Sequence, residues 1–201
     1  MSKMVKAVWL LWERFFHFAF RLEAIHPGGD YLFFIAKRTY IGRRFSVGNE
    51  VVKPFDKVIE LHLNNKMLVE AISQEPQLVG LAVRLVKEAK RSMPILAQAV
   101  RNPRFDNVRV IYGVTFINRG ITRLGFQVLP MQNNLAKKLT TWHLKNVLRV
   151  MNPDANRIMN SHENVMEPML VAVSKDELIA RFCSQLEQKG NSVPVSDHCL
   201  T

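Results

Sequence analysis

The sequence predicts an α+β fold in which a mainly antiparallel sheet packs against helices and an aromatic amphipathic helix begins the chain. Two observations predict it. Segments with strand periodicity are linked by short turns, and the helical segments are grouped instead of alternating with single strands. The 201 residues are 48% apolar, which suits one domain with an ordinary hydrophobic core. We therefore expect a single domain over residues 1–188 and a disordered polar tail over 189–201.

Residues 5–24 are predicted to form the first helix, because their polar positions recur every four residues in one narrow stripe. Two interpretations of its wide apolar face stay open. Helices that are apolar nearly all round are usually buried, which would place this one under the sheet. Alternatively it is an interfacial anchor, in which Trp9, Trp12 and Phe16 contact lipid or a partner. Charged residues interrupt the apolar run, so the segment resembles neither a signal peptide nor a membrane span.

Strands are predicted next. The first covers 31–37, and a short second strand lies between turn signals at 42–44 and 48–50. Pro54 permits only an edge position or a bend. The clearest alternation of the chain covers 57–64 and predicts a strand with one buried face.

A helix is predicted over 76–91 from its apolar stripe. Because Pro94 cannot donate a backbone hydrogen bond, we expect the helix to stop and Ser92 to cap a second, short helix. Segments 107–117 and 121–129 are predicted strands, and the Asn-Arg-Gly sequence between them predicts a hairpin turn.

The C-terminal third is predicted to hold a basic helix, a strand and a last helix. The basic helix covers 134–150 and contains no acidic residue, and the strand covers 169–173. Ser174 and Glu177 have the spacing of a capping box, which predicts a helix from there to about residue 188.

A candidate acid/base site lies on the 57–64 strand. Glu60, His62 and Asn64 are two residues apart and therefore share one face of the strand. Glu60 and His62 would be the catalytic pair, and Asn64, Asn65 and Thr115 would orient a substrate. The alternative is an ordinary solvated strand face. A lone histidine without a second ligand predicts no metal site, and the absence of glycine-rich nucleotide motifs predicts no cofactor.

The net charge of +11 predicts an affinity for polyanions. Six cations of the predicted hairpin and basic helix are the candidate anion-binding residues: Arg109, Arg119, Arg123, Lys137, Lys138 and Lys145. If these side chains converge, they form an anion-binding surface, because guanidinium groups bind two oxygens at once. If they radiate, they only solvate the domain. Nucleic acid is not favoured as a partner, because aromatic residues are not interleaved with the cations.

Several short motifs resemble the YkoP-like proteins and domains, over roughly residues 5–185. They are Tyr-Ile-Gly at 40–42, the run from Asp56 to Asn65, Gly-Val-Thr-Phe at 113–116, Arg-Gly at 119–120 and Leu-Gly-Phe at 124–126. The resemblance implies a small bacterial protein of unassigned activity, and the domain also occurs joined to polysaccharide deacetylase domains. The deacetylase metal motif is absent from this sequence, so the resemblance implies an accessory role in the cell envelope.

Taken together, these features predict a non-catalytic binding or accessory domain of bacterial envelope metabolism. Its partner would be an anionic membrane surface, or an envelope glycan or lipid-linked intermediate. Cys183 and Cys199 are interpreted as thiols, which favours a cytoplasmic location, peripheral to the inner membrane face. A small enzyme that uses Glu60 and His62 is the alternative, and nucleic-acid binding is the third possibility.

Overall fold

A six-stranded mixed sheet organises the part of the chain that the structure describes, with the strand order β1-β2-β5-β6-β8-β7. The structure is a computed structural model and describes residues 21–74, 78–115, 120–131, 137–138, 141 and 168–190. The strands are β1 (Glu23–Ala24), β2 (Phe33–Thr39), β3 (Phe45–Val47), β4 (Glu50–Val52), β5 (Lys57–Leu63), β6 (Val110–Thr115), β7 (Gln127–Pro130) and β8 (Met169–Ser174). The helices are α1 (Asn65–Gln74), α2 (Leu78–Ala99) and α3 (Lys175–Gly190), with 3-10 turns at Pro103–Phe105 and Ile121–Leu124.

The α+β class is confirmed, because every pairing in the sheet is antiparallel except that of β5 with β6. The strands predicted at 31–37, 57–64 and 169–173 are present with ends shifted by no more than two residues. The predicted short second strand is β3, which forms a separate two-stranded hairpin with β4.

The hairpin predicted between 107–117 and 121–129 is wrong. β8 lies between β6 and β7 and pairs with both, so Val110 is opposite Ser174 and Gln127 is opposite Ala172. The first four residues of the second predicted strand form a 3-10 turn instead. Gly125 ends this turn in the left-handed region, with φ 92°, and the chain turns away from β6 there.

The larger hydrophobic core lies between the sheet and its helices. From the sheet it takes buried residues such as Ile35, Ile59 and Ile111, and α2 and α3 supply Met93 and Leu178. Full burial of one such side chain contributes roughly 1.5–3 kcal/mol relative to exposure. The side chains on this face of the sheet are therefore buried in the core and stabilise the fold.

Helix α2 is continuous, and the predicted break at Pro94 is wrong. Packing on both sides of the proline keeps the helix intact, because Met93 and Leu96 are fully buried in the same core. Ser92 does not cap a second helix. Its buried hydroxyl donates to the Glu88 carbonyl at 2.9 Å and accepts the Leu32 N–H at 3.0 Å. These bonds connect α2 to the residue that precedes β2.

Helix α1 was not predicted from the pattern, and Asn64 starts it. The Asn64 side-chain oxygen accepts the Lys66 and Met67 N–H groups at 3.1 and 3.4 Å, as an N-cap does. At the other end of the chain, the predicted capping box is present, because the Ser174 hydroxyl accepts the Glu177 N–H at 3.2 Å.

The ends of the chain lie largely outside the described residues. Of the predicted helix over 5–24, only residues 21–24 are described, and the prediction is wrong there because Glu23 and Ala24 form β1. Trp9, Trp12 and Phe16 lie outside the described residues. Helix α3 runs two residues into the predicted tail, whose remainder, 191–201, also lies outside. Within the described segments, no helix is both long enough and apolar enough to cross a bilayer.

Candidate functional site

The face of the sheet opposite the helices is covered at one end by the β3–β4 hairpin. The residues that pack between hairpin and sheet form a second, smaller core: Tyr40, Val47, Val52, Val58, Val110 and Ala172. The hairpin itself is tight, because Val47 and Glu50 pair across a two-residue turn in which Gly48 has φ 54°. Backbone bonds hold its base to the sheet, from Tyr40 N–H to the Asp56 carbonyl at 2.8 Å and from Phe55 N–H to the Tyr40 carbonyl at 2.7 Å.

A charged cluster lies beside this smaller core on the same face. One oxygen of Glu60, Oε2, is 3.5 Å from Arg38 Nε and 3.6 Å from His62 Nε2. The side chains are only partly exposed, at 27% for Glu60 and Arg38 and 18% for His62. Glu60 is opposite Ala36 on β2, so Arg38 reaches it diagonally from the neighbouring strand.

The electrostatics of this cluster keep Glu60 ionised. Burial raises the pKa of the Glu60 carboxyl, but the neighbouring His62 and Arg38 outweigh it and hold the pKa below its ordinary value. Tyr112, opposite Glu60 on β6, has a strongly raised pKa because it is buried and faces that carboxylate. Burial also raises the pKa of Tyr40, whose ring meets that of Tyr112 edge-on at 5.7 Å. Both phenols are therefore neutral around pH 7.

The other residues predicted to serve this acid/base site lie elsewhere. Asn64 is buried and uses its side chain to cap α1 and to donate to the Tyr31 carbonyl at 3.1 Å. Asn65 is the first residue of that helix. Thr115 alternates with Ile111 along β6 and therefore faces the helical side of the sheet. The structure thus brings Glu60 and His62 together but not their three predicted partners.

A basic cleft of about 340 Å³ opens where the hairpin meets the first residues of β5 and β6. Its lining is Val51, Val52, Lys53, Asp56, Lys57, Val58, Asn107, Arg109 and Val110. Three of these residues are cationic and one is acidic. The Asp56 carboxylate is already engaged, since it accepts the Lys53 N–H at 2.7 Å.

The cations of the cleft are close to other polar groups but remain accessible. Lys57 Nζ donates to Thr39 Oγ1 at 2.6 Å, and Arg109 Nη1 is 3.6 Å from Glu50 Oε2. Arg109 nevertheless keeps 81% of its side chain exposed. Lys53, Lys57 and Asn107 were not singled out as site residues in the sequence, because they belong to no catalytic or binding motif and Asn107 lies some fifty residues from the two lysines.

Of the predicted anion-binding residues that the structure describes, Arg109 and Arg123 lie on opposite sides of the sheet. Arg109 lies on the hairpin side, whereas Arg123 is in a 3-10 turn on the helical side, where its carbonyl accepts from Arg181 at 3.4 Å. Lys137 and Lys138 are helical, as predicted, and Lys138 is exposed. Arg119 and Lys145 lie outside the described residues. Across the described segments, no group of three or more His, Cys, Asp and Glu side chains is arranged to hold a metal ion.

Fold and site together define a small α+β domain. One face of its sheet packs against the helices, and the other face carries a short hairpin, a charged cluster and a basic cleft. The chain belongs to the YkoP family, whose YkoP domain model matches residues 2–182. Among curated proteins it is similar to the uncharacterized protein YkoP of Bacillus subtilis (strain 168), with 22% identity over 129 residues, 63% of this chain and 70% of that protein. No solved structure matches the chain.

Proposed function

We propose that the protein is a non-catalytic binding domain that recognises anionic groups through the basic cleft. The observation that carries this proposal is the convergence of Lys53, Lys57 and Arg109 on one concavity beside the amide of Asn107. Lys57 begins β5, whereas Lys53 and Arg109 lie in two separate loops, and the hairpin and the pairing of β5 with β6 bring the three together.

The chemistry of the cleft suits a phosphate or carboxylate ligand. A guanidinium group binds two oxygens of such a ligand, and an ammonium group supplies a compact charge from another direction. The volume of about 340 Å³ is at the lower end of the roughly 300–1,000 Å³ typical of ligand sites, so it would admit a headgroup or one sugar phosphate. The net charge of +11 would raise the concentration of such anions around the whole domain.

The cellular setting is part of the same proposal. The role in bacterial envelope metabolism rests on the resemblance that the sequence motifs carry, and the position at the inner membrane face rests on the net charge of +11. The partner would then be an anionic membrane surface or an envelope glycan or lipid-linked intermediate. Nucleic acid is a weaker candidate, because the residues that line the cleft include four valines and no aromatic side chain on which a base could stack.

A titration with inorganic pyrophosphate tests the cleft. We expect amide chemical shifts near Lys57, Asn107 and Arg109 to move, and the effect to weaken as salt rises. The variant Lys57→Gln/Arg109→Gln should bind pyrophosphate at least about tenfold more weakly than the wild type, because two charge-assisted contacts are lost. Equal affinity of this variant and the wild type would refute the proposal.

The matched control removes two cations from the opposite side of the sheet. Lys87 and Lys90 are exposed on α2, so Lys87→Gln/Lys90→Gln changes the net charge by the same amount without touching the cleft. If both double variants weaken pyrophosphate binding equally, general charge and not the cleft is responsible.

A second candidate function is acid/base catalysis by Glu60 and His62, which the 3.6 Å separation of their side chains favours. In this function, the carboxylate of Glu60 would orient the imidazole of His62 toward a substrate. Assays with chromogenic acetyl esters and glycosides would test it. Turnover that disappears in Glu60→Gln but persists in Lys57→Gln/Arg109→Gln would support catalysis, and turnover insensitive to Glu60→Gln would rule out this pair.

A further inference from the structure

Two large apolar side chains stand in solvent next to the basic cleft. Ile41 is 88% exposed and Phe55 is 78% exposed. Their loops are adjacent, because the Phe55 N–H donates to the carbonyl of Tyr40, the residue before Ile41, at 2.7 Å. Phe55 is also flanked in sequence by residues that line the cleft, Lys53 and Asp56. The apolar pair and the cleft are therefore parts of one end of the molecule.

Phe55 occupies a backbone conformation that does not suit it. Its φ of 75° lies in the left-handed region, where glycine and asparagine are the usual residues and a bulky side chain is strained. Hydrogen bonds of the Tyr40 N–H and carbonyl on either side of Phe55 hold the loop in this shape. Since the ring is also in water, the fold gains nothing from a phenylalanine here, and a role outside the fold accounts for it.

Exposed cations lie close to each member of the apolar pair along the chain. Arg43 and Arg44 follow Ile41, and Lys53 and Lys57 lie on either side of Phe55. The nearby acid, Asp56, is engaged with the backbone of Lys53. Exposed apolar residues that are flanked by positive charges complement a surface that is apolar within and anionic at its boundary.

We propose that this end of the domain docks on an anionic lipid bilayer. Phe55 and Ile41 would enter the interface between headgroups and acyl chains, the four flanking cations would contact anionic headgroups, and the cleft would receive a lipid phosphate. The charge complementarity selects a membrane over a protein partner. The assignment of a headgroup to the cleft rests on the proposed function, whereas the docking of the apolar pair depends on Phe55 and Ile41.

Flotation with lipid vesicles tests the docking on the full chain. Vesicles of phosphatidylcholine alone and with about one third phosphatidylglycerol are compared at low and high salt. We expect the wild type to float with the anionic vesicles only, and less at high salt. Phe55→Asn/Ile41→Ser should bind the anionic vesicles at least about tenfold more weakly than the wild type. Burial of one large apolar side chain alone corresponds to roughly a tenfold change in affinity.

Val79→Ser/Val83→Ser is the matched control, because both valines are exposed on α2, on the helical side of the sheet. It should float like the wild type. Circular dichroism spectra and melting curves of both variants show whether the fold is intact, and asparagine tolerates the φ of residue 55.

Each outcome decides between the docking and the anion site. Loss of flotation in Phe55→Asn/Ile41→Ser with unchanged pyrophosphate binding supports the docking. Docking is overturned if this variant floats like the wild type, if the valine variant is equally impaired, if neutral vesicles bind as well, or if the wild type does not float. Pyrophosphate binding that depends on Lys57 and Arg109 would still support the anion site in those four cases. Conversely, flotation that depends on Phe55 without any pyrophosphate binding would refute the anion site and retain the docking.

Discussion

Replacing Glu60 with glutamine tests whether the charged cluster of Arg38, Glu60 and His62 stabilises the fold. Glutamine keeps the size of the side chain but removes its charge, so Arg38 and His62 lose the carboxylate that lies 3.5 and 3.6 Å away. Removing one partner of a fully buried ion pair costs about 3–5 kcal/mol, because the other charge is left unpaired. Because 27% of the Glu60 side chain is exposed, solvent screening reduces this value. We expect Glu60→Gln to lower the free energy of unfolding by about 1–2 kcal/mol.

Urea denaturation at pH 7 measures this loss, and the midpoint should fall with an unchanged m-value. For a chain of this size, each kcal/mol corresponds to about 2–4 °C in melting temperature. Glu88→Gln is the control, because Glu88 pairs with Arg91 three residues along the surface of α2. That variant should lose no more than about 0.5 kcal/mol.

The pH dependence supplies a second measurement with a definite sign. The folded-state pKa of Glu60 is below the ordinary carboxyl value of 4.5, so its ionised form stabilises the fold above that pH. This contribution is lost as the pH falls through the lowered folded-state pKa. The stability difference between wild type and Glu60→Gln should therefore narrow as the pH falls below about 4.5. If wild type and Glu60→Gln have equal free energies of unfolding at pH 7 and at each lower pH, the ion pairs of Glu60 do not stabilise the fold.

Three further predictions concern single positions. Ser92→Ala leaves the buried Leu32 N–H without its acceptor and should cost about 1–3 kcal/mol in urea denaturation; a loss below 0.5 kcal/mol would contradict this. Asn64→Ala removes the α1 cap and the bond to the Tyr31 carbonyl and should cost about 1–2 kcal/mol, whereas unchanged stability would return Asn64 to the candidate ligand residues. Phe55→Gly relieves the positive φ and should keep or raise the melting temperature while it impairs vesicle flotation, and a clear drop in melting temperature would show that the ring supports the fold.

Local patterns in the sequence were sufficient for the elements whose signals are local. The alternation over 57–64 predicted β5, because a period of two places every second residue on one face. Ser174 and Glu177 predicted the start of α3, since a capping box depends on four consecutive residues. The same alternation placed Glu60 and His62 on one face of the strand, so the sequence predicted that these two side chains lie together.

The tertiary structure decided what depends on distant parts of the chain. β6 and β7 are closer to each other in sequence than either is to β8, but β8 lies between them in the sheet. Strand order is set by packing across the whole sheet. Helix α2 continues through Pro94 because the core buries residues on both sides of it. The basic cleft brings Lys53 and Lys57 to Arg109, fifty residues later, through the hairpin and the parallel pairing of β5 with β6. The sequence alone therefore determined the secondary structure of the segments with local signals, and long-range packing determined which strands pair and which charges meet.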